Sequence, residues 1–350
     1  MRVEVKFSSK RFLLTLMLCA CSVILLQNHD LSRDASFTFR LLCLAAALLF
    51  CFGCYLPSVF LRKRGEDILS VLQSRPKWER WLITAFYCGY FRYTAVYFLL
   101  PYTDMFTKKY YTEASPCLIA LLLLCCCVYA AFKGANVITR FGIFLFVLAM
   151  VTNVMLFGGS LSSLQMDADS LVPRGTLGDF LRDAGYFLTP CFTAVLFACL
   201  SGYTRNFRLR QPLIALGFTG LKYALVLFFI TFAVGEYALR QEYQTFVLSR
   251  AAHFGSFSGF ESLYMALATM SVFMIIALLL CAMAKAVNRN GSLPVILLFA
   301  ASVFAVHFAA ANFDSVKEIF NSPSLLNLLS VMAAVVIPLF YLIIGRKRYA

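Results

Sequence analysis

Two basic residues, Arg92 and Lys222, lie deep inside long apolar stretches of this sequence. If such a stretch crosses a lipid bilayer, a charge near its centre costs about 2.5 kcal/mol or more and usually faces a partner or a water-filled cavity. In one interpretation both side chains have structural roles, because they snorkel or pair with Glu236 or Glu261. In the other, one of them lines a central cavity, where it binds an anionic substrate group or takes the place of a coupling cation. The residues alone leave both interpretations open.

The other reactive residues argue against several kinds of chemistry. The three histidines, His29, His253 and His307, are far apart in the sequence, and no carboxylate lies inside an apolar stretch. There is also no glycine-rich phosphate loop and no metal-ligand spacing, so we expect no enzyme, no metal site and no cofactor. For His307 the sequence favours a hydrogen-bonded packing role over a proton relay. Most of the thirteen cysteines lie in apolar runs, where cysteine behaves as a small hydrophobic residue.

The composition is that of a polytopic membrane protein. Hydrophobic residues make up 61% of the chain and charged residues 14%, against about 25% charged residues in an average soluble domain. In the region 116–159, two apolar runs of membrane-spanning length flank a polar link that carries Lys133 and Arg140, which predicts a transmembrane helical hairpin. The formal charge of +14 is dispersed over short loops and forms no single stripe, so we expect no nucleic-acid partner.

Ten stretches in total have the length and apolar character of membrane spans. Most of the 31 Lys and Arg residues fall in segments that are cytoplasmic if the N-terminus is cytoplasmic, which predicts that both termini lie inside. An amphipathic segment at 68–72 suits a helix on the cytoplasmic surface. The predicted spans are residues 12–26, 39–60, 81–101, 116–132, 141–159, 186–203, 212–235, 262–285, 293–311 and 325–344.

Ten such spans suit an all-α integral membrane fold with one transmembrane domain over residues 1–350. We expect two inverted five-helix repeats, at about 1–160 and 184–350, as in LeuT-like transporters. In that fold the first and sixth helices are broken at the midplane, and the freed backbone groups can bind substrate. Pro190, between Thr189 and Thr193, marks a candidate break in the sixth span. The small residues 20–22 are the corresponding candidates in the first span, although that span contains neither glycine nor proline.

Several blocks of the sequence resemble the spore-germination B-subunit permeases, a family of the amino acid/polyamine/cation transporter superfamily. The hairpin resembles the family's proline-led fourth helix, its Gly-x-x-x-x-x-Arg link, here Gly134 and Arg140, and its long apolar fifth helix. The following outer segment has the family's Leu-x-Pro element and later glycine, here Leu171, Pro173 and Gly178. Two further blocks are similar to the end of the family's second helix and to its eighth helix, namely PSVFLRKRGEDILSVL and GFESLYMALATMSVFMIIALLLCAMAKAV.

The resemblance implies a germinant-sensing, permease-like subunit of a nutrient receptor, multi-pass in the spore inner membrane and in contact with membrane lipid. It implies partner subunits of the A type and of the lipoprotein C type, and a small nutrient, with an amino acid as first candidate, in a midplane pocket between spans one, three, six and eight. The alternative is a free-standing proton-coupled amino-acid transporter, in which Lys222 or Arg92 takes the place of the coupling cation. The candidate lining residues are Ala20, Cys21, Ser22, Tyr87, Tyr90, Thr189, Pro190 and Thr193.

Overall fold

The computed structural model describes residues 7–26, 31–32, 35–64, 67–73, 75–165, 168–205, 210–239, 241–254, 257–287 and 292–346. In these residues nearly all regular structure is helical, in agreement with the composition. The α-helices are α1 Ser9–Leu26, α2 Phe37–Lys63, α3 Ile68–Gln73, α4 Lys77–Lys109, α5 Pro116–Lys133, α6 Ala135–Gly159, α7 Leu177–Phe187, α8 Phe192–Leu200, α9 Arg210–Phe229, α10 Glu236–Leu239, α11 Gln244–Ala251, α12 Glu261–Val287, α13 Leu293–Asn312, α14 Asp314–Asn321, α15 Pro323–Val331 and α16 Ile337–Arg346.

Short elements lie between the long helices. The helix α3 covers the predicted amphipathic segment, and its apolar side chains at 68, 69, 71 and 72 are buried. A parallel strand pair joins the start of α1 to the segment that follows α8, and an antiparallel pair lies between α11 and α12. These strands are β1 Phe7–Ser8 with β2 Thr204–Arg205, and β3 His253–Phe254 with β4 Phe257–Ser258.

Nine helical segments in the described part of the chain are long and apolar enough to cross a membrane. They correspond to nine of the ten predicted spans. The remaining one, span three, is α4, a continuous helix of 33 residues. Its length suffices to cross the roughly 30 Å hydrocarbon core, but Arg92 and several tyrosines make it less apolar than the other nine. The structure therefore supports a multi-pass helical membrane protein, and the count of ten stays a prediction.

The predicted hairpin is present, but its link is far shorter than the predicted eight-residue link 133–140. Helix α5 continues to Lys133 and α6 begins at Ala135, so Gly134 alone makes the turn. Gly134 has φ +92° and ψ 167°, a conformation that is open almost only to glycine. Its N–H donates to the carbonyl groups of Ala130 and Ala131 at 3.1 and 3.0 Å, which closes the end of α5.

The two predicted helix breaks have opposite outcomes. The sixth span is broken, because a 3₁₀ turn at Thr189–Cys191 separates α7 from α8. The first span is not broken: α1 is a continuous α-helix, so the conjectured break at 20–22 was wrong. With no glycine or proline in this run, nothing removes a backbone hydrogen bond or relaxes the helical dihedral angles.

The sixth span also begins earlier than the predicted residue 186. Helix α7 starts at Leu177, where Thr176 and Asp179 form a reciprocal capping box that satisfies backbone N–H groups at the helix start. The charged residues of this first stretch lowered its apolar character, which is why the sequence pattern placed the start nine residues too late.

Helix α12 forms the centre of the bundle and packs against α1, α4, α5, α6 and α13. Every residue from 274 to 284 is buried, as expected for a helix that is apolar on all sides. Helix α6 approaches α1 closely at Gly142, where a Cβ atom would lie 2.7 Å from Thr15 Oγ1. Small residues permit such close contacts between membrane helices.

Candidate functional site

A small polar cavity lies among α1, α6, α9 and α12. The volume open to the centre of a water molecule is about 10 Å³, which is room for about one water molecule. Polar or charged side chains from all four helices reach it, and the rest of its lining is apolar. The lining residues are Leu18, Cys21, Ser22, Leu25, Phe146, Ala149, Met150, Asn153, Phe218, Lys222, Leu267 and Ser271.

Lys222 on α9 is the one cation among these lining residues. Its side chain is buried, with 6% of the residue exposed. The ammonium Nζ donates to the carbonyl oxygen of Cys21 at 3.4 Å, a long hydrogen bond. No carboxylate among the described residues forms an ion pair with it. A lysine ammonium has three donors, so two are available to water or to a ligand in the cavity.

The other polar groups of the cavity differ in whether they have hydrogen-bond partners. The Ser22 hydroxyl donates to the carbonyl oxygen of Leu18 at 2.6 Å, within its own helix. The Ser271 hydroxyl is fully buried and has no hydrogen-bond partner among the described residues. A buried unsatisfied hydroxyl costs about 1–3 kcal/mol, so a partner such as water or a ligand is expected there. Together, Lys222, Ser271 and the Asn153 amide suit an anionic or strongly hydrogen-bonding group.

Of the residues predicted to line a pocket, the structure brings Cys21 and Ser22 together with Lys222. Ala20 lies next to them, and its carbonyl oxygen accepts from the hydroxyl of Tyr223 at 3.5 Å. The thiol of Cys21 is 3.9 Å from the Thr219 hydroxyl oxygen on α9. Three polar contacts of α1 with α9 therefore involve residues 20 and 21, and another joins Gln211 to Ser9 at the start of both helices.

The predicted tyrosines of α4 do not line this cavity. The Tyr87 hydroxyl donates to the carbonyl oxygen of Ala333 at 2.8 Å, and the Tyr90 hydroxyl lies 2.9 Å from that of Ser330. Both contacts reach the last membrane helix, near the π-helical segment Met332–Val336. The two side chains thus tie α4 to α15 and to the π-helical segment that follows it.

The predicted residues of the broken helix also lie outside the cavity and are engaged in local bonds. Thr189 donates to the carbonyl oxygen of Tyr186 at 2.9 Å. Thr193 donates to the carbonyl oxygen of Pro190 at 2.6 Å, and its hydroxyl oxygen lies 2.7 Å from that of Tyr55. The Thr193 proton is already used, so the Tyr55 hydroxyl is the donor in that pair.

The remaining charged and titratable candidates lie in different surroundings. Arg92 is exposed on the face of α4 that is not packed against the rest of the chain, and it does not reach the cavity. Glu261 pairs with Arg250 at 3.1 Å and not with Lys222, and the side chain of Glu236 lies outside the described residues. His307 is buried, with Nε2 3.1 Å from the Thr103 hydroxyl oxygen. All thirteen cysteines are free thiols.

Sequence reasoning missed two polar residues of the cavity, Asn153 on α6 and Ser271 on α12. Each lies inside a long apolar run, with one threonine close by, Thr152 or Thr269, and that pattern is the signal that could have found them. Polar side chains in membrane helices usually face the bundle interior or a partner. The pattern does not say which helices meet, so the grouping with Lys222 follows only from the packing.

The bundle of apolar helices and its buried polar cavity define a multi-pass membrane protein of the permease type. The chain matches a family model described as spore germination protein over residues 4–314, and it belongs to that family. This match confirms the resemblance to the spore-germination permeases and is consistent with the wider amino acid/polyamine/cation transporter superfamily. No curated protein matches the chain.

Proposed function

We propose that this protein is the germinant-sensing, permease-like subunit of a spore nutrient receptor and binds a small nutrient at the cavity around Lys222. An amino acid is the first ligand class to test, because its carboxylate suits the ammonium of Lys222 and the hydroxyl of Ser271. Family membership supports the role in germination. Assembly with A-type and lipoprotein C-type subunits in the spore inner membrane is part of the same proposal.

The single observation that carries the proposal is the environment of Lys222. A buried ammonium with one long hydrogen bond and no carboxylate partner among the described residues is expensive to maintain. It is the kind of group that an anionic ligand stabilises. The cavity holds about one water molecule in this conformation, so the proposal includes a movement of its lining side chains when a larger ligand enters.

The proposed topology has α4 as a tenth span, two inverted five-helix repeats and both termini in the cytoplasm. The 3₁₀ break between α7 and α8 supports the sixth helix of that scheme. In the first helix, the continuous α1 offers side chains and the Cys21 carbonyl in place of freed backbone groups. We assign Thr189, Pro190 and Thr193 to holding the break, and Cys21 and Ser22 to the binding site.

A thermal-shift screen of the purified chain against amino acids, sugars and nucleosides tests the proposal. A ligand present at one hundred times its Kd stabilises a protein by about 2.7 kcal/mol when it binds the folded state alone. We expect a ligand-induced rise in melting temperature that is lost in Lys222→Gln. The control is Lys109→Gln, which makes the same chemical change at an exposed position and should keep the shift. An unchanged shift in a cooperatively folded Lys222→Gln protein would exclude this site.

The second candidate is a free-standing proton-coupled amino-acid transporter. It is favoured by the absence of a carboxylate partner for Lys222 among the described residues, because such a lysine can replace a coupling cation. Proteoliposomes that contain the chain alone distinguish the two functions. A transporter accumulates labelled amino acid under an inward proton gradient and loses this activity in Lys222→Gln, whereas the sensing subunit binds without accumulating the ligand.

A further inference from the structure

The cytoplasmic half of α4, as oriented by the predicted topology, has one face that the rest of the chain leaves open. Trp81, Ala85, Gly89 and Arg92 are spaced four, four and three residues apart, so they follow one face of the helix. Trp81 is 75% exposed, and Ala85 and Arg92 are also exposed. A Cβ atom on Gly89 would have no heavy atom within 4 Å. Beyond Arg92, the residues from 93 to 100 are all buried.

Arg92 lies at the middle of this long helix. It is twelve residues from Arg80 and twelve from Asp104, the nearest charged residues along α4 on either side. At about 1.5 Å per residue its Cα lies about 18 Å from each of theirs. If α4 crosses the membrane, the guanidinium begins near the midplane, roughly 15 Å from either edge of the hydrocarbon core. Snorkelling serves residues near helix ends, and an arginine side chain does not span that distance.

No described residue forms a hydrogen bond or an ion pair with Arg92. The thiol of Cys88, one turn away on the same helix, is a neighbour with which it interacts electrostatically. A lipid-facing arginine at this depth is energetically costly. A carboxylate brought to the same depth would offset that cost by a charge-assisted hydrogen bond, and Arg is the residue best shaped for such a bond.

A second copy of this chain cannot supply that carboxylate. The sequence has 17 acidic residues; those in α4 lie at least twelve residues from Arg92, those in α7 lie within the first seven residues of the sixth span, and Glu261 is the first residue of α12. A symmetric contact through this face would place one Arg92 against another, which is repulsive. The open face instead offers small residues, Ala85 and Gly89, against which another helix can pack closely.

We propose that the face of α4 formed by Trp81, Ala85, Gly89 and Arg92 docks a transmembrane helix of a different subunit, which carries an aspartate or glutamate at the depth of Arg92. The small residues set the distance between the helices and the ion pair sets their register. None of the four residues lines the cavity around Lys222. The surface is therefore independent of the nutrient-binding proposal, and either can fail alone.

The first experiment uses the full chain in zwitterionic lipid vesicles with a fluorescent 21-residue leucine-alanine transmembrane peptide that has Glu or Gln at its centre. Energy transfer between chain and peptide reports binding. We expect the Glu peptide to bind about tenfold more tightly than the Gln peptide, equivalent to about 1.4 kcal/mol. Arg92→Leu should remove this preference, and Gly89→Leu should weaken the binding of both peptides. Arg80→Leu, at the end of the helix, is the control and should keep the preference. Equal binding of both peptides to the wild-type chain overturns the proposal.

The second experiment finds the occupant in the native membrane. A photoreactive benzoyl-phenylalanine replaces Ala85, cells or spores are illuminated, and the crosslinked peptide is sequenced by mass spectrometry. A membrane-spanning segment of another protein with a central Asp or Glu supports the proposal, and its yield should fall at least severalfold when Arg92→Leu is added. Adducts with lipid alone, or with this chain itself, overturn it.

Discussion

Single residues in this protein show how polar groups are accommodated inside apolar helices. The break between α7 and α8 leaves backbone carbonyl groups without their usual helical donors. The carbonyl oxygen of Pro190 is satisfied by Thr193, and the hydroxyl oxygen of Thr193 accepts in turn from Tyr55 on α2. A chain of hydrogen bonds therefore holds the break against a neighbouring helix. Lys222 is the opposite case, since its burial is poorly compensated.

Removing the Tyr55 hydroxyl should weaken the region around the helix break. Tyr55→Phe loses one buried hydrogen bond and leaves the Thr193 donor satisfied by Pro190, so we expect a loss of about 1 kcal/mol in the free energy of unfolding. The melting temperature of the detergent-purified protein measures the effect. Tyr111→Phe is the control, because this residue is exposed and its hydroxyl forms no hydrogen bond with the described residues. A Tyr55→Phe protein as stable as the wild type would show that this bond does not hold the break.

Replacing Lys222 by an apolar residue of similar length should stabilise the protein in the absence of ligand. Lys222→Met removes a desolvated charge with one long hydrogen bond, and we expect the free energy of unfolding to rise by about 1 kcal/mol or more. A stability cost at a binding site is common, because function requires groups that packing alone disfavours. Lys109→Met at an exposed position should change little. A large loss of stability in Lys222→Met would instead show that the lysine is structural glue.

At the scale of helices, single backbone positions decide how the spans are joined. The turn at Gly134 replaces a link that the sequence pattern placed over eight residues, and it brings α5 and α6 into direct succession. The turn depends on a positive φ angle that residues with a Cβ rarely adopt. A local feature also decides where α7 begins, because a capping box starts this helix within a charged stretch.

A side chain at position 134 should strain this turn. Gly134→Ala places a Cβ in a backbone region that costs about 1–3 kcal/mol, although the space around the residue is open. We expect the melting temperature to fall accordingly. Gly217→Ala is the matched control, because it lies inside α9 with open space around it and should gain up to about 1 kcal/mol from helix propensity. Equal behaviour of the two variants would contradict the backbone argument.

The sequence predicted the helices better than the contacts between them, for a physical reason. Apolar runs identify membrane helices because length and hydropathy are local properties, and nine of the predicted spans are present. Pro190 marked the break in the sixth span because its ring removes a helical hydrogen bond. The cavity needs side chains from four helices, and the facing of Asn153 and Ser271 toward Lys222 depends on rotation and packing of whole helices. Those quantities are set by neighbouring helices, not by local sequence.

At the scale of the whole molecule, the membrane topology depends on whether α4 crosses the membrane. Nine spans place the two termini on opposite sides of the membrane, whereas ten place them on the same side. The helix carries Arg92 and several tyrosines, so its apolar character alone does not settle the question. The basic residues near the predicted inner ends favour ten spans and cytoplasmic termini. If a partner helix covers the open face of α4, Arg92 does not face lipid. A span of reduced apolar character is then compatible with crossing the membrane.

Labelling from one side of the membrane tests whether α4 crosses it. Lys77 is the first residue of α4, Glu113 lies four residues after its last residue, and both are exposed. We expect a membrane-impermeant maleimide to label Glu113→Cys in intact cells and Lys77→Cys only after the membrane is permeabilised. Most of the native cysteines are buried and should react slowly, because the reagent does not reach them. The unsubstituted chain measures that background. Labelling of both variants from the same side would reduce the count to nine spans, place the termini on opposite sides and remove the basis for a midplane Arg92.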